Sequence, residues 1–274
     1  MAKVALLNSR TCGIYKSGGS RYKTDPATGL RTTEIDNELL EDVETYLVGK
    51  TPGGSAKIDV AKIFGNGILV PTYYDDRYNK QINDLLKSEG LTAVSLGELI
   101  DDGHVTTRGG HGSPGNDQRR GHIPYIKVSD IRGLRININP TNLVSESVAR
   151  RFWKRGRSKS ELPVTDSGLR PWDLITPNRA SNNIGEFAIL VPGEEQVVLT
   201  KEVFVFRVAN DELFDHFYLL WAFCLKAVRE QWRRVALMQT NREDCGNRYR
   251  EIVLPLPKSR GWANAASTAF RNYF

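Results

Sequence analysis

The sequence predicts an α+β fold, and three observations predict it. Strand-like and helix-like stretches are segregated along the chain rather than alternating, which disfavours a doubly wound parallel sheet. Period-two or β-branched runs fall at 123–138, 187–191, 196–208 and 250–257, whereas helical spacing is confined to 34–47, 75–87, 145–155 and 210–238. The chain has 274 residues, 40% of them hydrophobic, which is enough apolar material for a core in one or two domains.

Taken in order, residues 1–60 are polar and turn-rich. Asp25-Pro26 opens a turn that Gly29 closes, so its flanks at 20–23 and 30–35 can pair as a hairpin. Ile35, Leu39, Leu40, Val43 and Leu47 stand at helical spacing, with Asp36 or Asn37 as the start signal. A Gly/Pro/Ser-rich linker follows at 49–56. Next comes a helix from Asp75 to Lys87 with Tyr78, Ile82, Leu85 and Leu86 on one face, then a strand and a short helical turn over 91–100. Residues 101–121 contain six glycines and one proline and read as a loop.

The stretch GHIPYIKVSDIRGLRININP, 121–140, reads as two strands around a turn at Gly133. Ile126 and Val128 share one face, with Tyr125, Lys127 and Ser129 on the other; Leu134, Ile136 and Ile138 point inward. Pro124 belongs near a strand start or on a sheet edge, where its missing N–H costs little. A short helix with Ser145 as its cap spans 145–155. Strands follow at 187–191 and 196–208, then a long helix from Asn210 or Asp211 to Met238, buried in its first half. Its aromatic face, Phe214, Phe217, Tyr218 and Trp221, reads as core. A last strand lies at 250–257. The expected organisation is a connector or partner-docking segment at 1–60, the main domain at 61–258 and a C-terminal tail at 259–274.

The charge is uneven. Residues 1–100 carry 12 Lys/Arg against 13 Asp/Glu, and residues 101–274 carry 26 against 19, so the net charge of +6 arises in the C-terminal part. Within it, RRFWKRGRSK at 150–159 has six cations and no acid, and REQWRR at 229–234 adds three Arg and one Glu. Basic runs interleaved with aromatic residues are the footprint of a nucleic-acid-binding face. Trp153 and Trp232 fit either base stacking or cover of the scaffold. Three distant cysteines, Cys12, Cys224 and Cys245, suit a reducing compartment, and the apolar patch at the N-terminus is too short for a signal peptide, so the cytoplasm is the expected location. No apolar run approaches the ~18 residues of a membrane span.

Enzyme signatures are wanting. The nearest approach to the Asn/Asp-Pro-Pro-aromatic loop of an adenine methylase, NPTN at 139–142, departs from it. No Lys has an Asp or Glu two residues before it, as common metal-dependent nucleases require. The Gly-rich GGHGSPG at 109–115 precedes a strand rather than a helix, so it is no phosphate loop. His104, His111, His122 and His216 have no ligand-spaced companions. No nucleophile elbow is present. The expectation is a chain with no catalytic residues, no metal and no cofactor.

Several stretches, in order, resemble the target-recognition domain of type I restriction–modification specificity subunits. TYYDDRYNKQINDLLKSEGLTAVSLGELI (72–100) is similar to the segment that opens that domain, and IPYIKVSDI (123–131) is the most specific match. LRPWDLITPNRASNNIGEFAIL (169–190) and MQTNREDCGNRYREIVLPLP (238–257) resemble its later segments. The departures are Trp172, where the family has Gly before the Asp173 position, and Arg179-Ala180-Ser181 in place of Arg-x-Gly-Ser. One recognition domain is present, where a full subunit has two. Residues 1–60 resemble instead the connector between methylase and recognition domain in fused adenine methylases.

The resemblance implies a twisted mixed β-sheet with flanking helices, preceded by the small polar segment. It implies a non-catalytic module that reads double-stranded DNA and directs an N6-adenine methyltransferase, the partner holding S-adenosylmethionine, in a restriction–modification or related phage-defence complex that can include a restriction/translocase subunit. Arg150, Arg151, Lys154, Arg155, Arg157 and Lys159 are the expected contacts to the DNA backbone. Asn178, Arg179, Asn182 and Asn183 on one loop, and Gln239, Thr240, Asn241 and Arg242 on another, are the expected base readers, because forked and amide side chains match guanine and adenine edges. A second reading from another class is a protein-binding scaffold or inhibitor that keeps the fold; the basic 150–159 run separates the two, since such a scaffold has no need of it.

Overall fold

The computed structural model describes residues 3–6, 9, 11–50, 56–59, 61, 63, 65, 67, 68, 70–74, 76–154, 166–179, 183–238 and 243–274. The chain divides into two compact units, Met1–Asp76 and Arg77–Phe274.

In the first unit, β1 (Lys3–Leu6) pairs antiparallel with β4 (Ala56–Asp59). Between them lies the expected hairpin of β2 (Tyr22–Thr24) and β3 (Arg31–Ile35). Its turn is held by the Asp25 carboxylate, which accepts the Ala27 N–H at 2.8 Å. Helix α1 (Glu38–Leu47) starts where Asn37 accepts the Leu40 N–H at 3.1 Å. Thr11 and Arg21 both bond Asp36, at 3.0 and 2.7 Å, and so tie the hairpin to the helix start.

The second unit opens with α2 (Asp76–Glu89), β5 (Thr92–Ser95) and α3 (Leu96–Asp101). Helix α3 begins in a reciprocal cap: Ser95 Oγ accepts the Glu98 N–H at 3.1 Å, and Glu98 accepts the Ser95 N–H at 2.7 Å. The stretch expected as a loop at 101–121 contains a strand, β6 (Val105–Gly109). Its β-branched Val-Thr-Thr core finds a long-range partner that local glycine content cannot reveal.

Downstream, β7 (Ile123–Ile126) gives way to a 3-10 turn, Val128–Asp130, closed by the Asp130 carboxylate on the Lys127 N–H at 2.9 Å. The hairpin proper is smaller than expected, β8 (Ile131–Arg132) against β9 (Arg135–Ile136). Its two turn residues, Gly133 and Leu134, have φ of 59° and 67°, the left-handed pair that matches strand twist in a two-residue hairpin. Ile138 is therefore past the strand and half exposed, not inward. Tyr125 is buried rather than outward, because β7 is covered on both faces. Strand β10 (Leu143–Val144), helix α4 (Glu146–Trp153), β11 (Leu174–Pro177), β12 (Ala188–Ile189), β13 (Val198–Leu199) and β14 (Val203–Val208) follow.

These strands form two sheets. One is antiparallel, in the order β12-β11-β14-β6; the other is mixed, β10-β7-β13, with β7 antiparallel to β10 and parallel to β13. Pro124 sits at the start of β7, as expected, but β7 is central and not an edge; pairing with β13 begins one residue later at Tyr125. Alternation along β11 and β14 sorts the core. Leu174 and Phe206 face a large aromatic cluster, while Ile175, Val203 and Val205 face Ile126, Ile131 and Leu199 of the second sheet's side. Tyr125 and Val198 then pack on Ala149, Phe152 and Trp153 of α4. The segregated strands and helices make the class α+β, as expected.

The long helix expected from 210 is two helices, α5 (His216–Cys224) and α6 (Lys226–Val235). Leu225 between them has ψ of 131°, which breaks the ladder so that both helices can press on one cluster. The aromatic face expected as core is core: Phe214, Phe217 and Tyr218 are buried, with Trp221 packed against them. A pair of short strands, β15 (Leu237–Met238) and β16 (Glu243–Asp244), leads to β17 (Val253–Leu256), which pairs with β5. Residues 259–274, expected as a tail, fold as α7 (Arg260–Ala266) and α8 (Thr268–Tyr273), with Ala263 buried. No helix among the described residues is long and apolar enough to cross a membrane.

Asp215 joins this C-terminal pair to α5. It accepts the N–H groups of Phe217 and Tyr218, each at 3.1 Å, and meets Arg271 at 2.8 Å. Burial pushes its carboxyl up, but Arg271 and the Tyr218 N–H outweigh that and hold it below the ordinary carboxylate value. A group depressed in this way stabilises the fold fully above its unfolded pKa of about 3.9 and loses that contribution as pH falls through the folded value. Wild type and Asp215→Asn should therefore differ in urea midpoint at pH 6, and the two curves should converge as the pH falls towards 3. A constant gap across that range would remove Asp215 as the titrating group.

Candidate nucleic-acid interface

Helix α4 carries the start of the basic run, Arg150 and Arg151, and ends at Lys154. Ser145 caps it, accepting the Val148 N–H at 3.4 Å. Helical spacing puts Ala149, Phe152 and Trp153 inward and leaves Arg150, Arg151 and Lys154 exposed. The basic last turn suits the negative end of the helix dipole. Trp153 covers the scaffold rather than offering a stacking face: it is buried, and its indole N–H donates to the Val197 carbonyl at 3.0 Å. Trp232 is likewise core, packed against Phe187 and Phe223. Arg150 donates to Glu146 at 3.1 Å and Arg151 to the Gln118 side chain at 2.9 Å. The Lys154 backbone N–H donates to the Arg150 carbonyl at 3.1 Å, but its ammonium has no hydrogen-bond or ion-pair partner among the described residues. Arg155, Arg157 and Lys159 lie outside the described residues.

The loop that follows β11 is bound into its surroundings. Asn178 donates its backbone N–H to the Glu202 carbonyl at 3.0 Å and its side-chain amide to the Lys201 carbonyl at 3.2 Å. Arg179 forms an ion pair with Glu202. Asn183 donates to the Val128 carbonyl at 3.2 Å, fixing the loop to the turn before β8. Asn178, Arg179 and Asn183 thus all have partners within the chain. Asn182, Gln239, Thr240, Asn241 and Arg242 lie outside the described residues.

One contact joins the two expected base-reading loops. The Asn178 carbonyl accepts the Cys245 N–H at 3.0 Å. Cys245 is buried and directly follows β16, one arm of the pair that flanks 239–242. Asn178 after β11 and Cys245 after β16, 67 residues apart in sequence, are therefore held together at one end of the four-stranded sheet.

Two supports were not legible in the sequence. His111, buried, accepts the Leu199 N–H on Nδ1 at 2.9 Å and lies 2.9 Å from the Ser167 carbonyl through Nε2. The Arg108 guanidinium lies 3.2 Å from the same Nε2 and donates to the Ser167 carbonyl as well, so His111 is a structural clamp between β13 and the segment before β11. A lone His in a Gly-rich loop carries no signal of this. The second is Asp173, wholly buried, whose two oxygens each take a 2.7 Å bond from Arg207 while Oδ2 also accepts the Arg170 N–H at 2.9 Å. Beside it, Trp172 has φ of 71° and stacks on His216 at 5.2 Å. Burial pushes the His216 pKa down, so the stacked ring is the neutral form. The left-handed backbone at 172 suits glycine, the residue found at this position in the family that the sequence resembles.

No protein family and no curated protein matches the chain. Among solved structures, it is similar to the HsdS subunit of Thermoanaerobacter tengcongensis, with 16% identity and a TM-score of 0.41 over 67% of this chain and 37% of that one. The type I restriction–modification S subunit of M. genitalium matches with 12% identity and a TM-score of 0.39, over 70% of this chain and 44% of that one. The type IIG restriction endonuclease BpuSI matches with 12% identity and a TM-score of 0.47, over 85% of this chain and 33% of that one. The chain spans less than half the length of each of these three.

Proposed function

We propose that this chain is a non-catalytic, sequence-specific reader of double-stranded DNA that directs an N6-adenine DNA methyltransferase in a restriction–modification complex. The observation that carries the reading is the Asn178–Cys245 bond, which anchors the two amide- and arginine-rich loops together on a rigid sheet. Base reading requires that arrangement, because side chains that discriminate bases must be held by a scaffold that does not yield. The exposed cations of α4 supply the sequence-independent term; about six phosphate contacts would give a salt slope near −5.

Partner docking falls to the first unit. Among the described residues, ten of the twelve large apolar side chains that stand exposed lie between Ile14 and Val48, among them Leu30, Leu40 and Leu47. Residues 11–50 carry five Lys/Arg against seven Asp/Glu, so this face repels a polyanion and suits a protein groove with a basic rim. The methyltransferase, which would hold the S-adenosylmethionine, is the proposed occupant.

The test is selection of bound duplexes from a random pool at about 0.15 M salt, with and without the co-expressed adenine methyltransferase. An enriched motif that requires the methyltransferase is the expected result. Leu40→Glu with Leu47→Glu should abolish co-purification without unfolding the second unit. Stable complex formation with no enrichment for any motif would favour the protein-binding scaffold instead.

A further inference from the structure

The 116–122 segment lies beside α4, and this juxtaposition extends the basic surface beyond the run visible in the sequence. Three contacts lock the two together. Arg151 donates to the Gln118 side chain at 2.9 Å, and the His122 N–H donates to the Val144 carbonyl at 3.2 Å. Gly121 comes so close to the start of α4 that a Cβ there would stand 2.2 Å from the backbone of Val144 and 2.4 Å from the Ser145 nitrogen.

Within this surface the two arginines of the segment differ. Arg119 is occupied: its guanidinium donates to the Pro114 carbonyl at 3.3 Å and lies 5.3 Å from the centroid of the buried Tyr125 ring. Arg120 is exposed and has no hydrogen-bond or ion-pair partner among the described residues. The segments 116–122 and 145–154 together carry five Lys/Arg against two acids, Asp117 and Glu146, and Glu146 is already paired with Arg150. What remains is a rigid, net positive surface on which Arg120 and Lys154 are uncommitted cations on two separate segments.

We infer that Arg120 is a phosphate-binding residue, acting with Arg151 and Lys154 as one two-segment surface that grips a nucleic-acid backbone. This rests on the DNA-reading proposal above and adds to it a contact from outside the basic run. A rigid pair of segments is what backbone gripping needs: phosphate contacts fix orientation, and their value depends on spacing that does not drift. An arginine suits the role through its planar, forked donors.

The experiment uses the full chain, with the methyltransferase where binding requires it, and a generic duplex of about 30 base pairs as probe, titrated between about 50 and about 200 mM salt. Arg120→Glu should weaken binding about tenfold for every duplex tested and lower the salt slope by about one. Lys154→Glu should do the same, and Arg120→Lys should retain most of the affinity and the slope. Circular dichroism checks that each variant is folded. If Arg120→Glu matches wild type in both affinity and slope while Lys154→Glu does not, the segment is no part of the interface and the DNA-reading proposal survives. If Arg120→Lys loses as much as Arg120→Glu, charge is not the basis and the inference fails. If wild type binds no duplex with or without the methyltransferase, both fall.

Discussion

Asp173→Ala is expected to destabilise the second unit by about 3 kcal/mol. The carboxylate is 0% exposed and receives two guanidinium bonds and one backbone N–H. Its removal leaves the Arg170 N–H unsatisfied and strips Arg207 of the partner that raises its pKa. Arg207 itself is 38% exposed and can recover solvent, which places the loss at the lower end of the range for broken buried pairs. The reciprocal variant, Arg207→Ala, should cost more, because it strands a carboxylate that has no route to water. Urea unfolding at pH 7 with matched m-values reads both. A loss below about 1 kcal/mol for Asp173→Ala would show that the pair is not holding β11 against β14.

Gly121→Ala is expected to cost about as much, by a different route. The added methyl would meet the carbonyl carbon and oxygen of Val144, and these are backbone atoms fixed by the β7–β10 pairing and the start of α4. A flexible side chain could give way cheaply; this neighbour cannot, so the segment or the helix must move. For a domain of ~200 residues, about 3 kcal/mol corresponds to a fall of roughly 6–12 °C in Tm. The substitution should also separate Arg120 from α4, so a folded sample at low temperature should bind duplex DNA more weakly than wild type. An unchanged Tm would mean that the 116–122 segment is free of the helix.

Caps and turns were legible where the signal is local. Asn37 and Ser145 start their helices because a short side-chain acceptor reaches an N–H three residues on, within the same few residues of chain. The Asp25 turn belongs to the same class. The resemblance in IPYIKVSDI coincides with a strand buried on both faces followed by a tight turn, which explains why the strand itself, Ile123–Ile126, carries no charge.

Errors arose where distant pairing overrode local composition. Val105–Gly109 looks like loop because glycines surround it, yet β14 recruits it. The 210–238 stretch looks like one helix because every residue near Leu225 tolerates helix; the break is imposed by the cluster that both halves must cover. Among the expected site residues, α4 presents Arg150, Arg151 and Lys154 outward, as helical spacing requires. Asn178, Arg179 and Asn183 have structural partners that no spacing rule announces, since those partners, Glu202, Lys201 and Val128, lie more than 20 residues away.

Residue order alone thus settled the α+β class, the starts of the helices at 38 and 146, the turn chemistry and the basic character of 150–159, all of which depend on interactions within a few residues, whereas the helix expected from Asn210 or Asp211 starts only after Asp215. Tertiary structure decided which strands meet, that Asn178 and Cys245 share an anchor, and that the 116–122 segment is held to α4 and its start through Gln118, Gly121 and His122. The physical reason is that such contacts join segments separated by tens of residues. They form only when β-ladder partners and core faces have been chosen by the chain as a whole, and that choice leaves no periodicity in the sequence to read.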